Sequence, residues 1–180
     1  MRSKLFSLVL VASLLGALLL PDGATAAKAK VGSLAPTFSL TTLAGEKLTS
    51  ADLEGKVVLL DFWATWCKPC VMAIPELKAL NEEMKGKPFV MISFSADQKQ
   101  ATLEQFVKEN GMTWPQHWDE KGEIISRTFG ISTFPTYIVV DSEGKVVLHE
   151  DGWGPDTTDK KVRAAIDKAL LKARPSWLTK

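Results

Sequence analysis

The chain reads as one α/β domain on a central mixed β-sheet flanked by helices on both faces, and three observations predict it. Residues 57–63 and 89–94 are two nearly uninterrupted apolar runs, the mark of strands covered on both faces. Between them Met72, Leu77, Leu80 and Met84 recur at helical spacing, with Gly86 and Pro88 as the stop. Beyond them two extended runs, 136–140 and 145–149, meet at Ser142-Glu143-Gly144, a hairpin turn, and an amphipathic helix over 159–172 closes the domain. Strand–helix–strand connections favour parallel pairing and the hairpin is antiparallel, so the sheet is mixed.

The remaining elements follow in order. Residues 31–40 lead through a turn at 43–48 into another short extended piece, a small β extension ahead of the sheet. Residues 49–53 suit one helical turn stopped by Gly55. The run 57–63 carries a single acid, Asp61, in an otherwise apolar strand. Leu103, Phe106 and Val107 mark a helix over 102–110 ending at Asn110-Gly111, and 124–129 suits a short helix.

Composition excludes several functions. Of 180 residues, 46% are hydrophobic and 24% charged, ordinary for one globular domain. Lys and Arg total 22 against 21 Asp and Glu, without the clustered basic excess that phosphate neutralisation needs, so no nucleic-acid partner is expected. Two Cys and two His are too few for a stapled scaffold or a Cys-rich zinc centre, and no cofactor or metal is expected. A monomer is expected.

Residues 1–26 have a cationic start (Arg2, Lys4), an uncharged Leu-rich run over 5–20, and Ala24-Thr25-Ala26, small residues at alternate positions. This is the plan of a secretory signal peptide, with an uncleaved membrane anchor as the alternative, leaving a domain over 27–180. Removal takes two of the 22 basic and one of the 21 acidic residues, leaving no net charge. A periplasm or equivalent extracytoplasmic compartment is expected, with membrane association only if the segment is retained.

Export sharpens the meaning of Cys67 and Cys70. Two Cys three apart enclose almost no chain, so linking them gains little loop-closure entropy, and a reversible redox pair explains them better than a staple. They lie where a buried strand gives way to a helix. Amides at a helix start favour the thiolate, the reactive form. Lys68 adds a cation, and Pro69 fits a first turn where its missing N–H is no loss. Cys67 is expected to be the nucleophile and Cys70 the resolving thiol.

The segment Asp61-Phe62-Trp63-Ala64-Thr65-Trp66-Cys67-Lys68-Pro69-Cys70 resembles the active-site segment of thioredoxin-fold proteins, in particular the exported TlpA-like thiol–disulfide oxidoreductases, which include the cytochrome c maturation thioredoxins. Val31 to Leu40, Gly55-Lys56-Val57-Val58-Leu59, Gly130-Ile131-Ser132-Thr133-Phe134-Pro135-Thr136 and Asp141-Ser142-Glu143-Gly144-Lys145 extend the resemblance over 31–172. It implies a thioredoxin fold that exchanges electrons with protein disulfides and dithiols and is recharged by an upstream membrane dithiol donor. It also implies a cis-proline at Pro135 facing the disulfide and offering backbone groups to a substrate, and a gating residue at Phe134 beside Trp66, Lys68 and Pro69. At Asp61 it implies a buried acid that takes the Cys70 proton through water, the structural alternative being an Asp61 bonded to backbone or paired with Lys87. Pro75 matches a helix kink.

The sequence also departs from that subgroup. Ala73 stands where many cytochrome-maturation relatives carry an acid, and Asp61 is kept where they often lack one; both features, with Pro69, favour a thioredoxin-like reductant. Residues 97–118 resemble that subgroup's α/β insertion after the second core strand, in which Trp114, His117 and Trp118 would either shape a partner groove or pack inside; His149 is expected at the surface without a role. Two other readings use the same residues. A peroxiredoxin shares the Ala35-Pro36-Thr37-Phe38 opening but needs a Thr where Ala64 stands. A Cu(I)-delivery module would use both thiolates and a further His.

Overall fold

The computed structural model describes residues 29–173; the signal peptide expected over residues 1–26 lies outside the described residues. A small antiparallel hairpin comes first, β1 (Ser39–Thr41) and β2 (Lys47–Thr49), with Leu40 opposite Leu48. The main sheet contains β3 (Val57–Trp63), β4 (Phe89–Ser95), β5 (Gln116–Trp118), β6 (Thr136–Val140) and β7 (Val146–Asp151), in the order β5-β4-β3-β6-β7. Strands β3, β4 and β5 run parallel, while β6 and β7 are antiparallel additions, so the sheet is mixed as expected. Three α-helices accompany it: α1 (Lys68–Glu83), α2 (Gln100–Glu109) and α3 (Lys160–Ala173).

Every residue of β3 is buried, which is why it reads as an unbroken apolar run. Alternation sends its side chains to two cores. Val57, Leu59 and Trp63 pack with Ile74, Leu77 and Leu80 of α1, Leu103 of α2, and Val162 and Ile166 of α3. Val58, Leu60 and Phe62 pack with Phe94, Ile124, Ile125 and Phe129 on the opposite side. There Phe62 stacks on Phe94 at 5.1 Å and tilts against Phe129 at 5.3 Å.

Helical elements lie on both faces of the sheet, as the sequence predicts, and the expected short helix near 124–129 is on the face away from α1. All three α-helices cover one face of the sheet. The opposite face is closed by the β1–β2 hairpin side, a 3₁₀ turn over Ser50–Leu53 and a π-helical turn over Glu123–Thr128. One side chain organises the start of that last turn: the buried Asp119 carboxylate accepts from the amides of Glu123 at 2.9 Å and Ile125 at 2.7 Å. The insertion after β4 is α2 followed by β5, which extends the parallel edge. At the β6–β7 turn Gly144 has φ +80°, a conformation that disfavours a side chain. Asp141 Oδ1 accepts there from the amides of Glu143 and Lys145, each at 3.0 Å.

Removing the stacked ring at the centre of the second core should be costly. Phe94→Ala is expected to lower the unfolding free energy by about 3–5 kcal/mol in urea titration, and a loss under about 1 kcal/mol would contradict this packing.

Candidate active site

Strand β3 ends at Trp63, and four residues later Cys67 caps α1. Its backbone is extended (φ −83°, ψ 98°) and its sulfur accepts from the Cys70 amide at 3.3 Å. A sulfur therefore occupies the place usually taken by a Ser or Asp oxygen, directly in line with the amides that stabilise negative charge. Cys67 and Cys70 form a disulfide with Cα atoms 5.2 Å apart. In this oxidised state both are buried, Cys67 at 6% and Cys70 at 2% exposure. Pro69 lies in the first turn of α1, exposed beside the exposed Lys68. Pro75, inside the helix, has no N–H for the carbonyl of Val71.

Around the pair the other expected residues converge in part. Trp66 is 64% exposed and its ring meets that of half-buried Phe134 edge-on at 5.8 Å. The Phe134–Pro135 peptide is cis and Pro135 is buried. The carbonyl of Pro135 accepts from Gly152 N–H at 2.7 Å, so it is committed to the fold. The Phe134 backbone makes no backbone hydrogen bond among the described residues, and its N–H and C=O are the groups an extended chain would reach.

Asp61 lies on the side of β3 covered by α1, with 2% of its surface exposed. Burial pushes its carboxyl up to about 7 from an ordinary 3.8, opposed by a hydrogen bond from Ser93. That bond, Ser93 Oγ to Asp61 Oδ2 at 2.6 Å, replaces the Lys87 ion pair considered from sequence; Lys87 is exposed at the β4 entry. Asp61 Oδ1 has no partner among the described residues. The register explains the pairing: Asp61 is aligned with Ser93 on β4 and with Tyr137 on β6. Burial, then the Asp61, Asp159 and Glu76 carboxylates, push the Tyr137 hydroxyl upward, so it stays protonated.

The aromatic residues of the insertion pack differently. Trp114 is buried and donates its indole N–H to Ser93 Oγ at 2.8 Å. Trp118 donates to the Asp97 carbonyl at 2.6 Å, and His117 Nδ1 lies 2.9 Å from the Thr41 carbonyl in β1. Trp114 therefore packs inside and satisfies a buried hydroxyl, whereas His117 and Trp118 are half-buried and line a surface cavity with Thr41, Lys47 and Glu120. His149, expected at the surface, is half-buried with Nδ1 2.8 Å from the Ala29 carbonyl. Among the described residues no cluster of three or more His, Cys, Asp or Glu is arranged to hold a metal.

Three residues at the site went unrecognised in sequence. Asp97, buried, accepts from Thr65 Oγ1 at 2.6 Å, Thr65 N at 3.1 Å and Ser95 Oγ at 2.6 Å, which pins the loop between β3 and Cys67. Ser93 and Tyr137 flank Asp61. The signal for Ser93 was present: a polar residue stands fifth in each of the two buried runs, 57–63 and 89–95, which parallel pairing aligns.

Comparison with known proteins agrees with this geometry. Residues 31–149 match the AhpC/TSA family. The chain is 36% identical over 148 residues to the thiol-disulfide oxidoreductase ResA of Bacillus thuringiensis subsp. konkukian, covering 82% of this chain and 81% of that one. It is 38% identical over 117 residues to the thioredoxin-like protein YneN of Bacillus subtilis, covering 64% and 68%. Among solved structures it is similar to a thiol:disulfide interchange protein of the thioredoxin family from Chlorobium tepidum, with TM-score 0.67 and 27% identity over 80% of this chain and 99% of that one. With its disulfide-forming pair at a helix start and its mixed, helix-covered sheet, the chain belongs to the AhpC/TSA family, as a thiol–disulfide oxidoreductase of thioredoxin-like fold.

Proposed function

We propose that the protein reduces disulfides of other proteins, with Cys67 as nucleophile, Cys70 as resolving thiol and Asp61 as proton acceptor. The observation that carries this reading is the Cys70 amide donating to Cys67 Sγ at the first turn of α1. In the dithiol state the same amide would stabilise a Cys67 thiolate. That thiolate attacks one sulfur of a substrate disulfide; a mixed disulfide forms and the first substrate thiolate leaves, taking up a proton. Asp61 then accepts the Cys70 proton, the Cys70 thiolate attacks Cys67 Sγ, and the second substrate sulfur departs as a thiolate that takes up the proton Asp61 gives back. Two electrons pass to the substrate and the Cys67–Cys70 disulfide remains. A dithiol of an upstream membrane protein returns the electrons.

Several features support the reductant direction and the surrounding roles. Asp61, with its carboxyl near 7, is poised to exchange a proton at neutral pH. Ala73, fully buried one turn beyond Cys70, offers no acidic group, so proton handling falls to Asp61. Trp66, Lys68, Pro69 and Met72 form an exposed rim, and Phe134 and Pro135 supply the ledge against which an extended substrate segment lies. The leader-like residues 1–26 support a location outside the cytoplasm, in the periplasm or an equivalent compartment. Among the described residues no helix is long and apolar enough to cross a membrane.

Two measurements test the assignment. Cys67→Ser is expected to abolish insulin reduction, whereas Cys70→Ser should accumulate covalent complexes with disulfide substrates, visible on non-reducing gels; turnover by the first variant would refute the nucleophile. Asp61→Asn should slow resolution of the mixed disulfide about a hundredfold at pH 7. The same variant reads the buried charge directly. Because the folded state holds the Asp61 proton up to about pH 7 and the unfolded chain releases it near 3.8, this group withdraws stability as pH rises. The wild type should lose about 3 kcal/mol relative to Asp61→Asn between pH 5 and pH 8 in urea unfolding, and parallel profiles would show that Asp61 is not perturbed.

A further inference from the structure

We propose that Ser93 and Trp114 are a positioning pair that gives the two oxygens of Asp61 separate tasks, holding Oδ2 as a permanent acceptor so that the exchanged proton enters and leaves at Oδ1. This rests on Asp61 being the proton acceptor in resolution. A hydroxyl has one hydrogen to give and two lone pairs, whereas an indole N–H can only donate. Trp114 Nε1 donates to Ser93 Oγ at 2.8 Å, and Ser93 Oγ lies 2.6 Å from Asp61 Oδ2. Ser93 has no exposed surface, so water does not offer its hydrogen another acceptor.

With the indole hydrogen occupying one lone pair, the Ser93 hydrogen is directed at Asp61 Oδ2. A proton on Oδ2 would set two hydrogens between the same oxygens, or force the Ser93 hydrogen away with no acceptor, at the expense of an unmade buried bond. Oδ1, by contrast, has no partner among the described residues and is free to carry the proton. Ser93 thereby favours the charged acid and Trp114 keeps Ser93 in that role, although the Trp114 N–H is given to Ser93 and not to Asp61. The alignment comes from the sheet: Ser93 sits level with Asp61 on β4, and Trp114 lies two residues before Gln116, which is level with Ser93 on β5.

Other groups around Asp61 leave this assignment intact. On the elements packed against this face of β3, α1 carries Glu76, β6 the Tyr137 hydroxyl level with Asp61, and the start of α3 Asp159 paired with Arg163; Glu76 and Asp159 act on the Tyr137 hydroxyl. From β5 comes the neutral Gln116, and α2 contributes Leu103 and Phe106, which do not titrate. The only hydrogen-bond donor to the carboxyl among these elements is Ser93.

The test is a ¹³C NMR titration of the Asp61 carboxyl in the oxidised protein, where neither Cys titrates, paired with the pH profile of mixed-disulfide resolution. Ser93→Ala is expected to move the Asp61 midpoint up by about one unit, and resolution at pH 7 should fall about fivefold and recover near pH 9. Trp114→Phe should move the midpoint in the same direction by less. The double variant should match Ser93→Ala, since Trp114 acts only through Ser93. Ser93→Thr, which keeps the hydroxyl, should restore the wild-type midpoint.

An unmoved midpoint in Ser93→Ala overturns the pair, as does additivity in the double variant. Should Ser93→Ala fail to fold, an unmoved or lowered midpoint in Trp114→Phe overturns the pair by itself. Midpoints that shift as expected while the resolution profile stays in place would uphold the pair and refute Asp61 as the proton acceptor.

Discussion

A strand buried on both faces that ends one short loop before a helix is the constraint on which the site depends. Val57 to Trp63 have no exposed edge or face, so β3 cannot slide without exposing one core or the other. Its end therefore fixes where α1 begins, and Cys67 is placed at that beginning with its sulfur in line with the Cys70 amide. The loop between has little freedom, because Asp97 holds both the amide and hydroxyl of Thr65. The reactive sulfur is thus located by packing and polarised by the helix, two effects with one origin.

The same strand carries an ionisable group into the core. A carboxyl with almost no contact with water favours its neutral form, and a single hydroxyl donor offsets part of that preference. A fully compensated carboxylate would be inert near neutrality, and an uncompensated one would stay protonated. Ser93 leaves Asp61 between these limits, with one oxygen engaged and one unengaged. An apolar residue there would cost the fold less, and the retained acid suits the proton-acceptor role proposed for it.

The surface near the disulfide is built differently. Trp66 is largely exposed and braced edge-on by Phe134, and Met72 is exposed one turn away on α1. Apolar side chains left open beside a reactive pair suit contact with extended protein segments more than with a small solute. Pro135 gives its carbonyl to Gly152, which leaves the Phe134 peptide groups as the adjacent backbone open to pairing.

Local pattern was enough to read the α/β class, the strand–helix–strand core, the terminal hairpin and helix, and the Cys67–Cys70 pair, because periodicity and the spacing of two thiols are properties of neighbouring residues. Asp61 was legible as an acid out of place in an apolar strand. Its partner was not, since Lys87 and Ser93 are equally available to it until strand register is known. Register likewise decided that Trp114 turns inward to Ser93 and that Tyr137 lies beside Asp61. The three α-helices could have been shared between the faces by pattern alone; the aromatic cluster of Phe62, Phe94 and Phe129 settled them on one side by filling the other. Chemistry held within a short segment is written in that segment, whereas a hydrogen bond between residues 32 positions apart exists only once the sheet has aligned them.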